Sequence, residues 1–376
     1  MRVRITSTFA LRVSLVLLLA LAVLAAPQRR KKKEEDITQT LELPKDPPAA
    51  ATAETQKLVF HVSPLSAKGL LSQQTRDALR ALSRASSGAA IVKLRAFVAG
   101  SGDLRRVPSI VSETFTERKQ PLPAVTVVQV GGLPLEGAQV VIESIAVSRK
   151  PVNPHGLAFV SGQADSSNQV VPKVAPLAEK SIANINTALK GVGLDATDVL
   201  RVTCLLSSLE DFAAVRNVVA SGYPKAALNF VQLQRAPARS VVECEAVARL
   251  RQAAPEPLRF VNPPGLPASP NFSHVALVSA PKVILTGTQI AFGYQDSDAR
   301  LAFQRLAKVV EQSGSSMHDV AMSSIYPLSN SLAEQVRRIR FEFYDKARPP
   351  ASTMLPFEGL PGMEAGFAVD VVAVAK

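Results

Sequence analysis

An internal repeat constrains this chain more than any other feature. Three segments align without gaps: Gly88 to Phe115, Ala196 to Tyr223 and Met317 to Tyr344. Ala90, Asp198 and Asp319 each stand 25 residues before a closing aromatic, Phe115, Tyr223 and Tyr344. Each segment opens on a β-like run: IVKLRAFVA, VLRVTCLLS or VAMSSIYPL. A helix-start signal follows at Ser101-Gly-Asp103, Ser208-Leu-Glu-Asp211 and Ser331-Leu-Ala-Glu334, the last two reading as capping boxes. An amphipathic stretch comes next, with Phe212, Val215 and Val219 on one stripe and Leu332, Val336, Ile339 and Phe343 on the other. Pro108 falls inside the matching helix of the first copy and should shorten or kink it. An earlier strand and helix precede each segment and two strands close it. The unit is therefore β-α-β-α-β-β, an α/β (α+β) sandwich of one sheet and two helices.

The chain around the repeats reads differently. Residues 1–25 carry three Arg, no acid and an apolar run from Val13 to Ala26, the pattern of an export signal cleaved after Ala25. Export, to the periplasm or the medium, implies an oxidising compartment. Residues 26–56, beginning with APQRRKKKEED and continuing Pro- and Ala-rich, read as a disordered linker. The copies then occupy 57–148, 153–250 and 271–376, and residues 251–270, with six Pro, read as a stiff linker. The net charge of +12 is partly held by these N-terminal residues, so the body is only mildly basic, and few aromatics are present to stack on bases. Nucleic acid is not an expected partner, nor is a membrane once the signal is removed. The four His are scattered without metal-ligand spacing, and no nucleotide-binding Gly-rich motif or nucleophile elbow occurs, so no metal or cofactor is expected.

The residues of the second copy resemble the reactive intermediate deaminase family (RidA/YjgF, once named endoribonuclease L-PSP). The resemblance rests on Gly156-Leu-Ala-Phe-Val-Ser161-Gly162-Gln163, Asn184-Ile-Asn-Thr-Ala-Leu189, Asp198-Val-Leu-Arg-Val-Thr203 and Asp211-Phe-Ala-Ala-Val215. The third copy adds Asn271-Phe-Ser-His274 and Thr286-Gly-Thr-Gln289-Ile, similar to the family's first strand pair, and the first keeps Leu133-Pro134 and Val141-Ile-Glu143-Ser-Ile-Ala146. The resemblance implies a chorismate-mutase-like unit that assembles as a trimer. Three copies in one chain then imply a monomer with internal pseudo-threefold symmetry, a pseudotrimer with ligand clefts between copies. It also places Cys204 and Cys244 in neighbouring strands of one copy. Two buried thiols are the expected outcome there, with a bond between them the alternative.

The chemistry implied by the resemblance is hydrolysis of reactive imines and enamines. A Glu of the last strand orients water, and an Arg after Pro-Ala grips the substrate carboxylate. The acid persists as Glu143, Glu245 and Asp370, and Glu245 is the candidate to position water. The Arg is replaced by Val125 in the first copy and Ser352 in the third. In the second copy the position falls on Leu228 or, in another register, on Arg239 of Pro237-Ala238-Arg239-Ser240. Arg239, Ser161 and Gln163 are the candidate ligand-binding residues, Arg239 as the substitute cation. Loss of the Arg points to small-metabolite binding with little or no imine hydrolysis. The competing reading is a non-catalytic scaffold that keeps only the fold.

Overall fold

The computed structural model describes residues 45–100 and 102–376. The expected export signal and most of the expected linker lie outside the described residues. Pro44 to Lys376 form one compact unit.

The chain enters through β1 (Ala50–Glu54). The first copy follows as β2 (Leu58–Val62), α1 (Leu71–Ala85), β3 (Ala90–Ala99), α2 (Arg106–Glu117), β4 (Ala124–Val130) and β5 (Val140–Val147). The second is β6 (Leu157–Ser166), α3 (Ala175–Lys190), β7 (Val199–Leu206), α4 (Phe212–Gly222), β8 (Ala227–Gln232) and β9 (Val241–Arg249). Two short strands, β10 (Leu258–Val261) and β11 (Val275–Val278), precede the third copy. That copy is β12 (Lys282–Thr286), β13 (Gln289–Phe292), α5 (Asp296–Gln312), β14 (Val320–Pro327), α6 (Asn330–Ile339), β15 (Ala351–Met354) and β16 (Ala365–Val374).

Each copy builds the same sheet. The third strand of the unit runs parallel to the second, with Leu94 opposite Val125, Val202 opposite Leu228 and Ser323 opposite Ser352. The closing strand runs antiparallel to the second, with Glu143 opposite Arg95, Glu245 opposite Thr203 and Asp370 opposite Ser324. Side chains alternate across a strand, so every sheet has a helix-covered face and an inner face. The helix faces bury three private cores, around Leu82 and Ile110, Ile185 and Val219, and Phe303 and Val336. The inner faces meet in two shared cores that draw on all three copies. One contains Phe60, Phe159 and Met322; the other contains Phe97, Val231 and Phe357.

Strand exchange ties the copies together. β1 pairs antiparallel with β12 of the third copy rather than folding back on β2. β11, within the range read as the third copy, pairs with β6 of the second, and β10 extends that edge. Two expected linkers are corrected here. The disordered segment to residue 56 ends in a paired strand, and the stiff linker 251–270 contains one. The reason is that the outer strands β12 and β6 present unpaired backbone that must find partners.

Local signals also shifted. α2 starts at Arg106, so Pro108 sits in its first turn, where a missing N–H costs no bond. The cap of α6 is Ser329, which accepts from the Leu332 amide, rather than Ser331. Asp211 accepts the Val174 and Ala175 amides at 3.0 and 2.9 Å, serving the start of the neighbouring α3 instead of its own helix. Cys204 and Cys244 are bonded, which corrects the expectation of two thiols. They lie directly opposite in the β7–β9 ladder with their Cα atoms 4.1 Å apart and share the helix face.

Candidate functional site

The three acids of the closing strands meet on the inner face, where all three copies converge. Each sits one step along its strand from apolar neighbours: Glu143 lies between Val141 and Ile145, which belong to the two different shared cores. Each acid reaches into the next copy. Glu143 accepts from Thr203 (2.6 Å) and Asn229 (2.7 Å) of the second copy. Glu245 accepts from Thr353 (2.6 Å) of the third. Asp370 accepts from Thr126 of the first, closing the cycle.

Three cations neutralise the three acids. Arg95 donates to Glu143 at 2.8 Å and to Glu245 at 2.6 Å. Arg201 reaches the same two carboxylates at 3.4 and 3.3 Å. Lys93 lies 3.4 Å from Asp370, which Tyr326 also approaches at 3.2 Å. Burial pushes the Glu143 carboxyl up, but Arg95, Arg201 and the hydrogen bonds from Thr203 and Asn229 outweigh it and hold it at about 2. Burial pulls Arg95 down, yet Glu143 and Glu245 raise it well above the usual value. The cavity in this ring is about 40 Å³, far below the size of a metabolite site. Glu143, Glu245 and Asp370 are thus brought together as a neutral structural ring.

The three clefts between copies have diverged. Between the first and second copies lies an apolar cleft of about 290 Å³ lined by Val62, Leu65, Phe212, Leu228 and Phe230, with exposed Arg216 at its edge. Between the third and first, chain fills the space at the family position. Thr288 donates to the Val125 carbonyl at 3.2 Å, and Gly287 donates to Ala49, just before β1, at 2.7 Å. A Cβ on Gly287 would come 3.1 Å from that Val125 oxygen.

The cleft between the second and third copies is open and polar, about 480 Å³. It contains Gln163 and Arg239 of the expected set, together with Glu243, Arg337, Arg340 and Ser352. Ser161 is buried beside it as a bridge: its hydroxyl accepts from the Ser352 amide at 2.9 Å and donates to the Ser273 carbonyl at 2.5 Å. Gln163 turns its amide back onto the Ser161 carbonyl. Arg239 is exposed in the β8–β9 connection, at the rim.

Arg340, immediately after α6, is the residue sequence reasoning missed. It is only 2% exposed. Its Nη1 donates to Ser352 Oγ at 3.2 Å and its Nη2 to the Asn271 carbonyl. Its Nε has no partner among the described residues, and no carboxylate there forms an ion pair with it. Burial pulls it down to about 10, with Tyr344 opposing and Arg337 adding to the fall. The signal was present: Arg340 follows Val336 by four residues and so falls beside the apolar stripe of α6. A guanidinium thus stands beside Ser352, the position where the resemblance implies an Arg.

The family Endoribonuclease L-PSP matches residues 62–148 and 149–253, together just over half of the chain. The chain belongs to this family. The third copy rests on its repeated topology. Over 98 residues the chain is 36% identical to the 2-iminobutanoate/2-iminopropanoate deaminase of Capra hircus, covering 24% of this chain and 70% of that protein. It is 30% identical over 112 residues to a RutC family protein of Pyrococcus abyssi, covering 26% and 88%. Among solved structures, a Rid-family protein of unknown function from Yersinia pestis matches with TM-score 0.30 and 19% identity, covering 32% of this chain and 99% of that one.

Proposed function

We propose that this RidA-like chain binds a small carboxylate-bearing molecule in the cleft between its second and third copies. The observation that carries the reading is Arg340: a buried guanidinium with neutral partners only, beside Ser352. A buried unpaired charge costs several kcal/mol, and a ligand carboxylate would offset that cost with charge-assisted hydrogen bonds. Arg239 at the rim adds a second cation on the path in. The relatives named as 2-iminobutanoate/2-iminopropanoate deaminases act on 2-imino acids, which are carboxylates of suitable size. Turnover by this chain is expected to be slow or absent, because Glu245 is engaged by Arg95, Arg201 and Thr353 and is not free to orient water.

We also propose that the chain acts as a monomer outside the cytosol. Strand exchange among the copies supports the first point. The Cys204–Cys244 bond and the basic-then-apolar N-terminal run support the second.

Calorimetric titration with 2-oxobutanoate, the ketone analogue of the imine, tests the binding. Micromolar to millimolar affinity is expected, weakened about 10- to 100-fold in Arg340→Ala, the range for a hydrogen bond to a charged group. Unchanged affinity in the variant contradicts the reading, and fast ammonia release from 2-imino acids contradicts the expected slow turnover.

A further inference from the structure

Each copy opens on a strand at the edge of its own sheet, and the chain covers two of these three edges. The segment before the first copy lays β1 along β12 of the third, and the segment before the third lays β11 along β6 of the second. By the same rule the segment before the second copy, residues 148–156, should serve β2 of the first. It forms no strand. The Val152 and Asn153 amides go to the Gln56 carbonyl at 2.8 and 2.9 Å, and Asn153 Nδ2 donates to the Leu58 carbonyl at 2.8 Å. Cover stops there, and β2 pairs with β5 alone.

The register fixes which groups this leaves open. Ser148 donates to the Lys57 carbonyl and Ser63 to that of Ile142, so Lys57, Val59, His61 and Ser63 turn their backbone groups toward β5. Leu58, Phe60 and Val62 turn theirs away. The Leu58 amide is used by Thr55. The N–H and C=O of Phe60 and Val62 have no hydrogen-bond partner among the described residues. Phe60 matches Phe159 in the shared core, so Val62 matches Ser161, whose amide donates to the His274 carbonyl at the start of β11 at 2.9 Å. Exposure follows the same division. Leu157 to Ser161 of β6 are at most 3% exposed and Val283 to Thr286 of β12 at most 1%, whereas Val59, His61 and Val62 are only half-buried.

We propose that the free edge of β2 is a docking site for an extended segment of another protein, taken up as an added antiparallel strand with acidic residues at its C-terminal end. An open edge is a template for strand addition. The strands on the two equivalent edges define what fits. AATAE and VALV carry small or aliphatic side chains, and Ala53, Ala276 and Val278 enter the shared core. Both run antiparallel to the strand they cover, and β1 ends with Glu54 opposite Lys282. The corresponding end of β2 is basic. Lys57 there is paired with Glu54, which leaves Arg149 and Lys150, exposed just beyond Val147, to meet an incoming acid. No acid occurs in residues 148–156. β2 lies against β7 in its seam as β11 lies against β14, so the slot admits a single strand and not the edge of a folded second copy.

A labelled peptide carrying Ser273 to Val278 followed by two Glu tests this on the full chain. Anisotropy should show saturable binding of one peptide per chain. In the β11 pairing the Ala276 amide faces the covered strand and the Leu277 amide faces away. N-methylation of that Ala in the peptide should weaken binding about tenfold, as expected for one or two lost bonds, and N-methylation of the Leu should change it little. Two Lys in place of the Glu should weaken binding, and salt should remove that difference. Val62→Pro removes an N–H that β5 does not use and should also weaken binding about tenfold; if that variant does not fold, the methylated peptides decide alone. Hydrogen exchange of the Phe60 and Val62 amides should be fast in the free chain and slowed by the peptide, while Ser161 stays protected throughout. Equal binding of the two methylated peptides overturns the proposal. So does protection of Phe60 and Val62 in the free chain, which would show that its own N-terminal residues or a second copy already cover this edge.

Discussion

Arg95 in the ring where the three copies converge and Arg340 in the cleft between the second and third copies are buried alike and surrounded differently. Arg95 touches two carboxylates from two copies and is raised well above its usual value. Arg340 touches a hydroxyl and a carbonyl, leaves one nitrogen without a partner among the described residues, and is lowered to about 10. A buried charge with its counterions in place serves architecture: it fixes which copy follows which around the ring. A buried charge without them costs stability in the free protein, and such a cost is common where a ligand completes the site. The carboxyls divide the same way, Glu143 held at about 2 and Glu243 pushed up to about 8.

The largest expected effect follows from breaking the ring. Arg95→Met leaves Glu143 and Glu245 to share Arg201 in the shared core. Removing one partner of a buried pair costs about 3–5 kcal/mol. Denaturant unfolding should show a loss of that size, and a loss under about 1 kcal/mol contradicts the ring's structural role.

Acid offers a second, smaller break. Glu143 is depressed from 4.5 to about 2 in the folded chain, so its contribution is present above pH 4.5 and disappears as pH falls toward 2. Stability should drop by a few kcal/mol across that window, on the order of one pKa unit per 1.4 kcal/mol. Glu143→Gln, less stable at neutral pH, should show a shallower slope there. An equal slope in both proteins removes Glu143 from the acid response.

How much of this was legible in the sequence depends on which physics each residue obeys. The repeat and the β-α-β-α-β-β order follow from local periodicity and spacing, and the closing-strand acids from the family resemblance. The capping signals Ser208 and Ser331 were local too, but caps serve whichever helix end lies nearest, and Asp211 serves α3. Strand exchange by β1 and β11 was not legible. AATAE and VALV fit any exposed edge, and the choice of edge is made in three dimensions. Lys93 and Arg95, alternating within IVKLRAFVA, were a readable sign of a charged inner face. So was Arg340 beside the stripe of α6. Their difference in partners needed the fold, because Glu245 and Asp370 reach Arg95 and Lys93 from other copies.

The most direct test of the account is thermal unfolding of wild type and Arg340→Met, each with and without saturating 2-oxobutanoate. Without ligand, removing an unpaired buried charge should leave stability unchanged or raise it by up to about 2 kcal/mol, opposite in sign to Arg95→Met. With ligand, wild type should gain stability in proportion to ligand occupancy, and Arg340→Met should gain little or none. A variant that loses about 3 kcal/mol or more without ligand, yet gains as much as wild type with it, would show that Arg340 holds the fold together and does not hold the ligand.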